Sequence, residues 1–308
     1  MMDVAHKPDG VRAASCWVCG SLRTKLFRPS TIAEKMTANA VAITDANYGI
    51  TAAIFRCDSC GFLQCPDVSG VLELYQDMED PGYALTAGPR ALQARKLLEI
   101  LEKFRPAPAR LLDVGAGIGL LLDEAEKRGF YAVGMEPSRW LAGLGQERGL
   151  RLHCGVLPHG DVVGPFDAIC LIDVIEHVPD PVDLLRTIRD VMAPDGKLVM
   201  VTPDVKSAMA RLMGKNWWHF RAAHIGYFDR TTLERACHAA GLKPVHASRP
   251  CWYFNAGYLW DRVMAYLPRR WRLKAPSILM RLTVPLNLYD SILFVVEPIH
   301  GSDEARSA

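Results

Sequence analysis

The sequence predicts an α/β protein: a doubly wound, mostly parallel sheet of seven strands behind a small cysteine-stapled module. Three observations carry this. From residue 109 onward, apolar runs of strand length alternate with amphipathic helical stretches, the pattern of a parallel sheet covered on both faces. The stretch Arg110 to Leu122, RLLDVGAGIGLLL, reads as strand, glycine turn and helix. Ahead of it stand two C-x-x-C-G units, Cys16-Trp17-Val18-Cys19-Gly20 and Cys57-Asp58-Ser59-Cys60-Gly61.

The cysteine units come first in the chain. Each can present two thiolates from one tight turn, with the following glycine relieving the backbone, and two such turns complete a tetrahedral sulfur site. Cys16, Cys19, Cys57 and Cys60 are therefore expected to hold a structural zinc ion; four thiolates leave no position open for water, so this metal is not catalytic. Cys65 is a spare whose spacing fits a knuckle poorly. Residues 31–56 alternate weakly (Val41, Ile43, then Ile50, Ala52, Ile54), which predicts a ribbon or hairpin and completes a zinc ribbon over residues 1–68. Residues 69–108 read as a helical linker or lid, with Tyr75 and Tyr83 able to fold over a bound ligand, and end at Pro106-Ala107-Pro108.

Over residues 109–300 strands are predicted at 110–114, 131–135, 151–154, 166–172, 196–202, 242–248 and 291–297. Helices are predicted at about 119–129, 138–148, 181–193, 205–213 and 230–240. An insertion at 251–289 separates the last two strands, and residues 301–308 are expected to form a disordered tail. Ligands of such sheets sit beyond the carboxyl ends of the strands. There Gly115, Gly117 and Gly119 let backbone approach a cofactor closely, because glycine has no Cβ. A dinucleotide fingerprint wants G-x-G-x-x-G, but here Leu120 stands at the third position and Asp113 precedes the turn, where a pyrophosphate would meet a repelling carboxylate. An acid at this place suits a cationic ligand.

These residues resemble the first motif of the class I S-adenosylmethionine-dependent methyltransferases, an acid followed by G-x-G-x-G, which implies a Rossmann-like fold, a sulfonium cofactor and methyl transfer. The rest of the domain carries the resemblance further. Glu136, in Glu136-Pro137-Ser138, lies 21 residues past Gly115, where an acid grips a ribose diol in nucleotide folds, and the family uses the matching acid for the ribose. Ser138 also reads as a helix N-cap. Val156 and Leu157 occupy the family's adenine position, although the acid that many members carry there is absent. Phe166 to Ile172, with Asp173, Val174 and the turn Glu176-His177-Val178-Pro179-Asp180-Pro181, resembles the fourth motif. The cofactor site is thus expected at Asp113, Gly115, Ala116, Gly117, Gly119, Glu136, Pro137, Ser138, Val156, Leu157, Ile172, Asp173 and Val174.

Methyl transfer to a hydroxyl also needs a base, and histidine suits that role at neutral pH. His224, in the aromatic- and histidine-rich loop Trp217 to Phe228, is the preferred base and His177 the second. The Asp173, Glu176, His177 cluster is similar to the E-x-x-E-H arrangement with which quinone-precursor O-methyltransferases hold a divalent ion, with Asp173 in place of the first glutamate. The expected acceptor is a small molecule, such as a sugar, glycan or secondary-pathway metabolite; a zinc module ahead of this domain is similar to that of sugar C-methyltransferases. The alternatives are an RNA methyltransferase that uses the zinc ribbon on RNA, and a non-catalytic binding protein. A net charge of +2, from 36 basic and 34 acidic residues, gives no general field for nucleic acid.

The first residues, MMDVAHKPDGVRAAS, hold no apolar secretory core, and no apolar run reaches the ~18–20 residues of a spanning helix. Nine cysteines in such a chain point to thiols and metal, and the expected place is the cytoplasm. Residues 251–289 combine Trp252, Tyr253, Phe254, Tyr258 and Trp260 with Arg269, Arg270, Arg272 and Lys274. That mixture predicts a peripheral contact with the inner membrane surface or a lipid-linked substrate, an active-site cap, or a homodimer face.

Overall fold

A computed structural model describes residues 15–33, 36–44, 48–68 and 70–300. The expectations for the first residues of the chain and for the tail at 301–308 lie outside the described residues. In chain order the elements are strands β1 (Thr24–Arg28), β2 (Ile54–Cys57) and β3 (Leu63–Gln64), then helices α1 (Val71–Gln76), α2 (Pro81–Leu85) and α3 (Ala87–Leu101). The alternating part follows as β4 (Arg110–Val114), α4 (Leu120–Lys127), β5 (Tyr131–Glu136), α5 (Arg139–Glu147), β6 (Leu152–Cys154), β7 (Phe166–Ile172), α6 (Pro181–Asp190) and β8 (Met192–Pro203). The chain closes with α7 (Ala208–Met213), β9 (Gly226–Tyr227), α8 (Arg230–Ala239), β10 (Leu242–Ser248), β11 (Trp252–Asn255), α9 (Ala256–Ala265), β12 (Thr283–Leu286) and β13 (Ser291–Pro298).

The large sheet has seven strands in the order β10-β13-β8-β7-β4-β5-β6. β4 pairs in parallel with both β5 and β7, β6 continues from β5 and β8 from β7, whereas β13 runs antiparallel between β8 and β10. Adjacent residues of the central strands feed opposite faces. Leu112, Ile169 and Leu198 pack with Leu185 and Leu233 from α6 and α8. Leu111, Ala168 and Val199 pack on the other side with Leu98 and Leu122 from α3 and α4. Burial on both faces explains why these strands read as continuous apolar runs. The strand order reverses between β4 and β7, which opens a crevice at their carboxyl ends.

A second sheet has the order β1-β2-β3-β9. Its last strand comes from far along the chain: Leu63 pairs with Tyr227 and Gln64 with Gly226. The ribbon expected over residues 31–56 is not formed as such. Among its described residues the only strand is β2, beginning at Ile54, and Ala38–Val41 makes a single 3-10 turn. The physical reason is that Val41 and Ile43 pack inward with Met78, Ile118 and Leu141 instead of along a strand pair. β8 starts at Met192, earlier than expected, because its pairing with β7 slips between Phe166 and Ala168 and admits Ala193 to Gly196 as part of the strand. The insertion folds as the β11–β12 ladder with α9 between its strands.

Candidate active site

The two cysteine turns are copies of one another. Gly20 N–H donates to the Cys16 carbonyl and Gly61 N–H to that of Cys57, at 2.8 and 2.9 Å, and both glycines adopt positive φ. The turns face each other with Sγ separations of 3.5 Å for Cys16–Cys60 and 3.6 Å for Cys19–Cys57, and all four sulfurs lie within 4.8 Å of one another. A tetrahedron of thiolates about zinc, with Zn–S near 2.3 Å, has edges of about 3.8 Å, so the donor set fits that ion in number, type and spacing. Cys65 is buried apart from this cluster, and its N–H donates to the Ile225 carbonyl at 2.8 Å.

At the crevice, Gly115 N–H and Ala116 N–H both donate to the Met135 carbonyl, which ties the turn after β4 to β5. Gly115, at φ 82°, has Val174 packed where a Cβ would stand; Gly117, at φ 57°, has the Tyr83 hydroxyl 2.5 Å from that place. Each is a position where backbone freedom and close approach coincide. Glu136 then locks the turn: its Oε2 accepts from Gly117 N–H at 2.8 Å and its Oε1 from Ser138 N–H at 2.9 Å. Each carboxylate oxygen keeps a further acceptor site, and Glu136 lines the cavity above the turn.

That cavity is about 990 Å³ and runs from the glycine turn to the insertion. It is walled by most of the residues expected at the cofactor, among them Asp113, Gly115, Ala116, Gly117, Pro137, Val156, Leu157, Ile172, Asp173 and Val174. Gly119 and Ser138 lie off the wall. Gly119 caps α4 and packs against Leu150, while the Ser138 hydroxyl caps α5 through Leu141 N–H and donates to the Met78 carbonyl. Ser138 reaches the cavity only through the backbone N–H that holds Glu136.

The acids of the crevice are poorly solvated. Burial, reinforced by the nearby Glu136, pushes Asp113 up to about 7, and burial pushes Glu136 up to about 7 against the pull of its two N–H donors. Asp173 opens onto the cavity, yet the protein packed around it raises its carboxyl, with Arg90 opposing and Asp290 reinforcing. It also holds φ at 52°, in the left-handed region. Glu176 is buried after β7, accepts from the Thr202 hydroxyl at 2.9 Å through Oε2, and is held well above the carboxylate range by burial and by Asp173. Its Oε1 has no hydrogen-bond partner among the described residues.

The histidines meet beside it. His177 Nδ1 stands 2.8 Å from the Ala223 carbonyl and 2.7 Å from the Tyr75 hydroxyl. A carbonyl can only accept, so the proton sits on Nδ1, and Nε2 lies 4.0 Å from Glu176 Oε1. The His224 ring lies edge-on to His177 at 4.7 Å and stacks on His219 at 5.5 Å, and His219 Nε2 is 3.6 Å from Asp290 Oδ2. Burial lowers His177 to about 4 and His224 well below its ordinary value, so both rings are neutral at pH 7. Of the D-x-x-E-H cluster, the donor atoms of Glu176 and His177 lie within 4.8 Å of one another and of His224, and Asp173 is not part of this group. Asp290 and Arg90 join the site without a motif to mark them. The available signal for Asp290 was an acid placed immediately before the apolar strand β13; nothing local marked Arg90, which enters the site from α3 with its guanidinium over Tyr83.

Two carboxyls stand around a turn that lacks the third glycine of a dinucleotide fingerprint, where a pyrophosphate would meet their charge. The fold and the crevice are those of a class I S-adenosylmethionine-dependent methyltransferase. Comparison with known proteins places the chain directly: the family described as a methyltransferase domain matches residues 88–247, just over half of the 308 residues, and the chain belongs to it. The ubiquinone biosynthesis O-methyltransferase of Xanthomonas axonopodis pv. citri (strain 306) is 27% identical over 204 residues, 60% of this chain and 77% of that protein. The enzyme of the same name from Caulobacter sp. (strain K31) is 34% identical over 103 residues, 30% of this chain and 40% of its own length. A solved S-adenosylmethionine-dependent methyltransferase from Clostridium acetobutylicum ATCC 824 superimposes with a TM-score of 0.47 at 10% identity, over 68% of this chain and 91% of that one.

Proposed function

We propose that the chain transfers a methyl group to a hydroxyl of a small acceptor with an apolar body, and that His224, with His177 as second, receives the hydroxyl proton. The observation that carries this is the pair of neutral imidazoles, His224 buried and His177 partly buried, set in the wall of a large cavity whose far side is aromatic and aliphatic, including Phe254, Tyr258, Leu259 and Leu286. Such walls favour an apolar acceptor over a bare sugar. The name shared by the Xanthomonas and Caulobacter relatives supports transfer to oxygen.

Bound S-adenosylmethionine supplies a methyl group on a sulfonium sulfur, which keeps the bonding pair as the acceptor oxygen takes the carbon. Glu136 would hold the ribose hydroxyls, Asp113 and Asp173 would face the cationic end, and Val156 and Leu157 would pack the adenine. His224, uncharged at neutral pH, has a lone pair for the acceptor proton, so the positive charge removed at sulfur reappears on an imidazole and the site never gains net charge. Cys16, Cys19, Cys57 and Cys60 would hold structural zinc in a module of residues 1–68, with residues 69–108 as lid and 109–300 as transfer domain. The test is His224→Ala. Removing a general base costs about 10²–10⁴-fold, so turnover should fall at least a hundredfold while calorimetry shows cofactor affinity within about twofold of wild type. Unchanged turnover would overturn the assignment of the base.

A further inference from the structure

Residues 262–289 contain no Asp or Glu, yet they include Arg262, Arg269, Arg270, Arg272, Lys274 and Arg281 in a chain whose net charge is only +2. After α9 this segment runs as a strap of two short 3-10 turns, Arg269–Trp271 and Ser277–Arg281, pinned to the α9 unit by Trp260 Nε1 donating to the Leu273 carbonyl and Ala256 N–H to that of Leu282. Its apolar side chains are not consumed by this packing. Leu273 is 67% and Ile278 68% exposed, and Trp271, Met280 and Leu282 are each about half exposed or more. The five cations from Arg269 to Arg281 are exposed as well. Large apolar groups left in water and interleaved with cations are the composition of an interfacial segment: the apolar groups enter the acyl boundary and the cations meet lipid phosphates. A nucleic acid would use the cations and leave Leu273 and Ile278 wet; a folded partner would have to match both. No helix among the described residues is long and apolar enough to cross a membrane.

We propose that the strap at 269–282 docks the enzyme on a bilayer surface rich in anionic lipid, with the mouth of the acceptor cavity held at that surface. The geometry joins the two: Val263 on α9 and Tyr266 at its C-cap, each at least half exposed just before the strap, also line the cavity, together with Tyr258 and Leu259 earlier on the helix. A lipophilic acceptor would pass from the bilayer along α9 into the crevice without crossing water. The route rests on the reading that the cavity takes an apolar acceptor; the docking does not, and vesicle binding measures it without turnover.

The experiment is co-sedimentation of the full chain with vesicles of phosphatidylcholine, alone or with a quarter phosphatidylglycerol. Binding is expected to the anionic vesicles only, to be lost in half-molar salt as the field is screened, and to weaken about fivefold for each cation removed in Arg269→Gln, Arg270→Gln and Lys274→Gln. Leu273→Ser with Ile278→Ser should abolish the shift of Trp271 fluorescence on vesicle addition while leaving S-adenosylmethionine affinity unchanged, which shows that the variant folds. His224→Ala should sediment like wild type, so loss of the base assignment leaves this result standing. Equal partition to both vesicle types, no partition to either, or a concentration-dependent dimer abolished by the same substitutions would each overturn the proposal.

Discussion

Asp113 and Glu136 are buried at the glycine turn with their carboxyls raised to about 7, chiefly because burial strips their water, whereas Asp173 opens to the cavity. A cationic ligand and hydroxyl donors favour the charged form, so cofactor bound as proposed would lower these values and release protons. The sign follows. Below about pH 7 the empty site is largely protonated and the ligand has to displace protons; above it the site is already charged. S-adenosylmethionine affinity should therefore rise between pH 6 and pH 8 and level off beyond, and its binding enthalpy should depend on the ionisation enthalpy of the buffer. An affinity flat across that interval would contradict the site. Glu136→Gln is the sharper probe, because an amide presents a donor where both Gly117 N–H and Ser138 N–H need acceptors. Gln keeps one acceptor and sets an NH2 against the other N–H, and losing one bond and the charge on the second should weaken S-adenosylmethionine about ten- to hundredfold by calorimetry.

At the scale of elements, the cysteine module is wired to the histidines. β2 carries Cys57, pairs with β3, and β3 pairs with β9; Cys65 N–H then holds the Ile225 carbonyl, and Ile225 N–H holds that of Glu176. On the other side Arg28 of β1 lies over the Phe220 ring, 4.5 Å from its centroid, and Arg221 donates to the Ile43 carbonyl at 3.1 Å. The loop that carries His219 and His224 is thus clamped by the N-terminal module, while the glycine turn is clamped by β5. Cys16→Ser with Cys57→Ser should lower bound zinc, measured by atomic absorption, and cut turnover at least tenfold, with S-adenosylmethionine affinity within about threefold of wild type. Equal loss of both functions would mean that the module supports the whole fold instead of the histidine loop.

The same wiring explains what could be read beforehand. The glycine turn, the cysteine knuckles and the strand ends at Glu136 and Asp173 are local: neighbours in sequence determine them, and residues 110–114, 166–172 and 242–248 form the strands their patterns predict. The β3–β9 pairing spans two residues on each side and leaves no periodic trace. The contact of His177 with His224 crosses 47 positions, and that of His219 with Asp290 joins a loop to the far end of an insertion. Val41 and Ile43 look like strand residues because any buried position selects apolar side chains, whichever element it belongs to.

For the molecule as a whole, the two ends of one cavity are built from different parts of the chain, and under the proposed function they would take cofactor and acceptor by different physics. Backbone and carboxyls line the first; the insertion, with Tyr48, lines most of the second, where Arg262 lies over the rings of Tyr48 and Tyr258 with aliphatic side chains beyond them. An acceptor should therefore be selected by its apolar volume more than by a pattern of polar contacts, up to the limit of the cavity. Burying one more methylene is worth about 0.8 kcal/mol, or about fourfold. In a series of hydroxylated aromatic acceptors bearing longer alkyl chains, kcat/KM should climb by about that factor per carbon and then stop where the chain emerges near Val263 and Tyr266. KM should carry the gain and kcat should stay level, because the added contacts are equal in the ground and transition states. Leu259→Asn, which puts an amide into that wall, should flatten the series and leave the shortest acceptor almost unaffected; a series already flat in the wild-type enzyme would show that the acceptor body lies elsewhere.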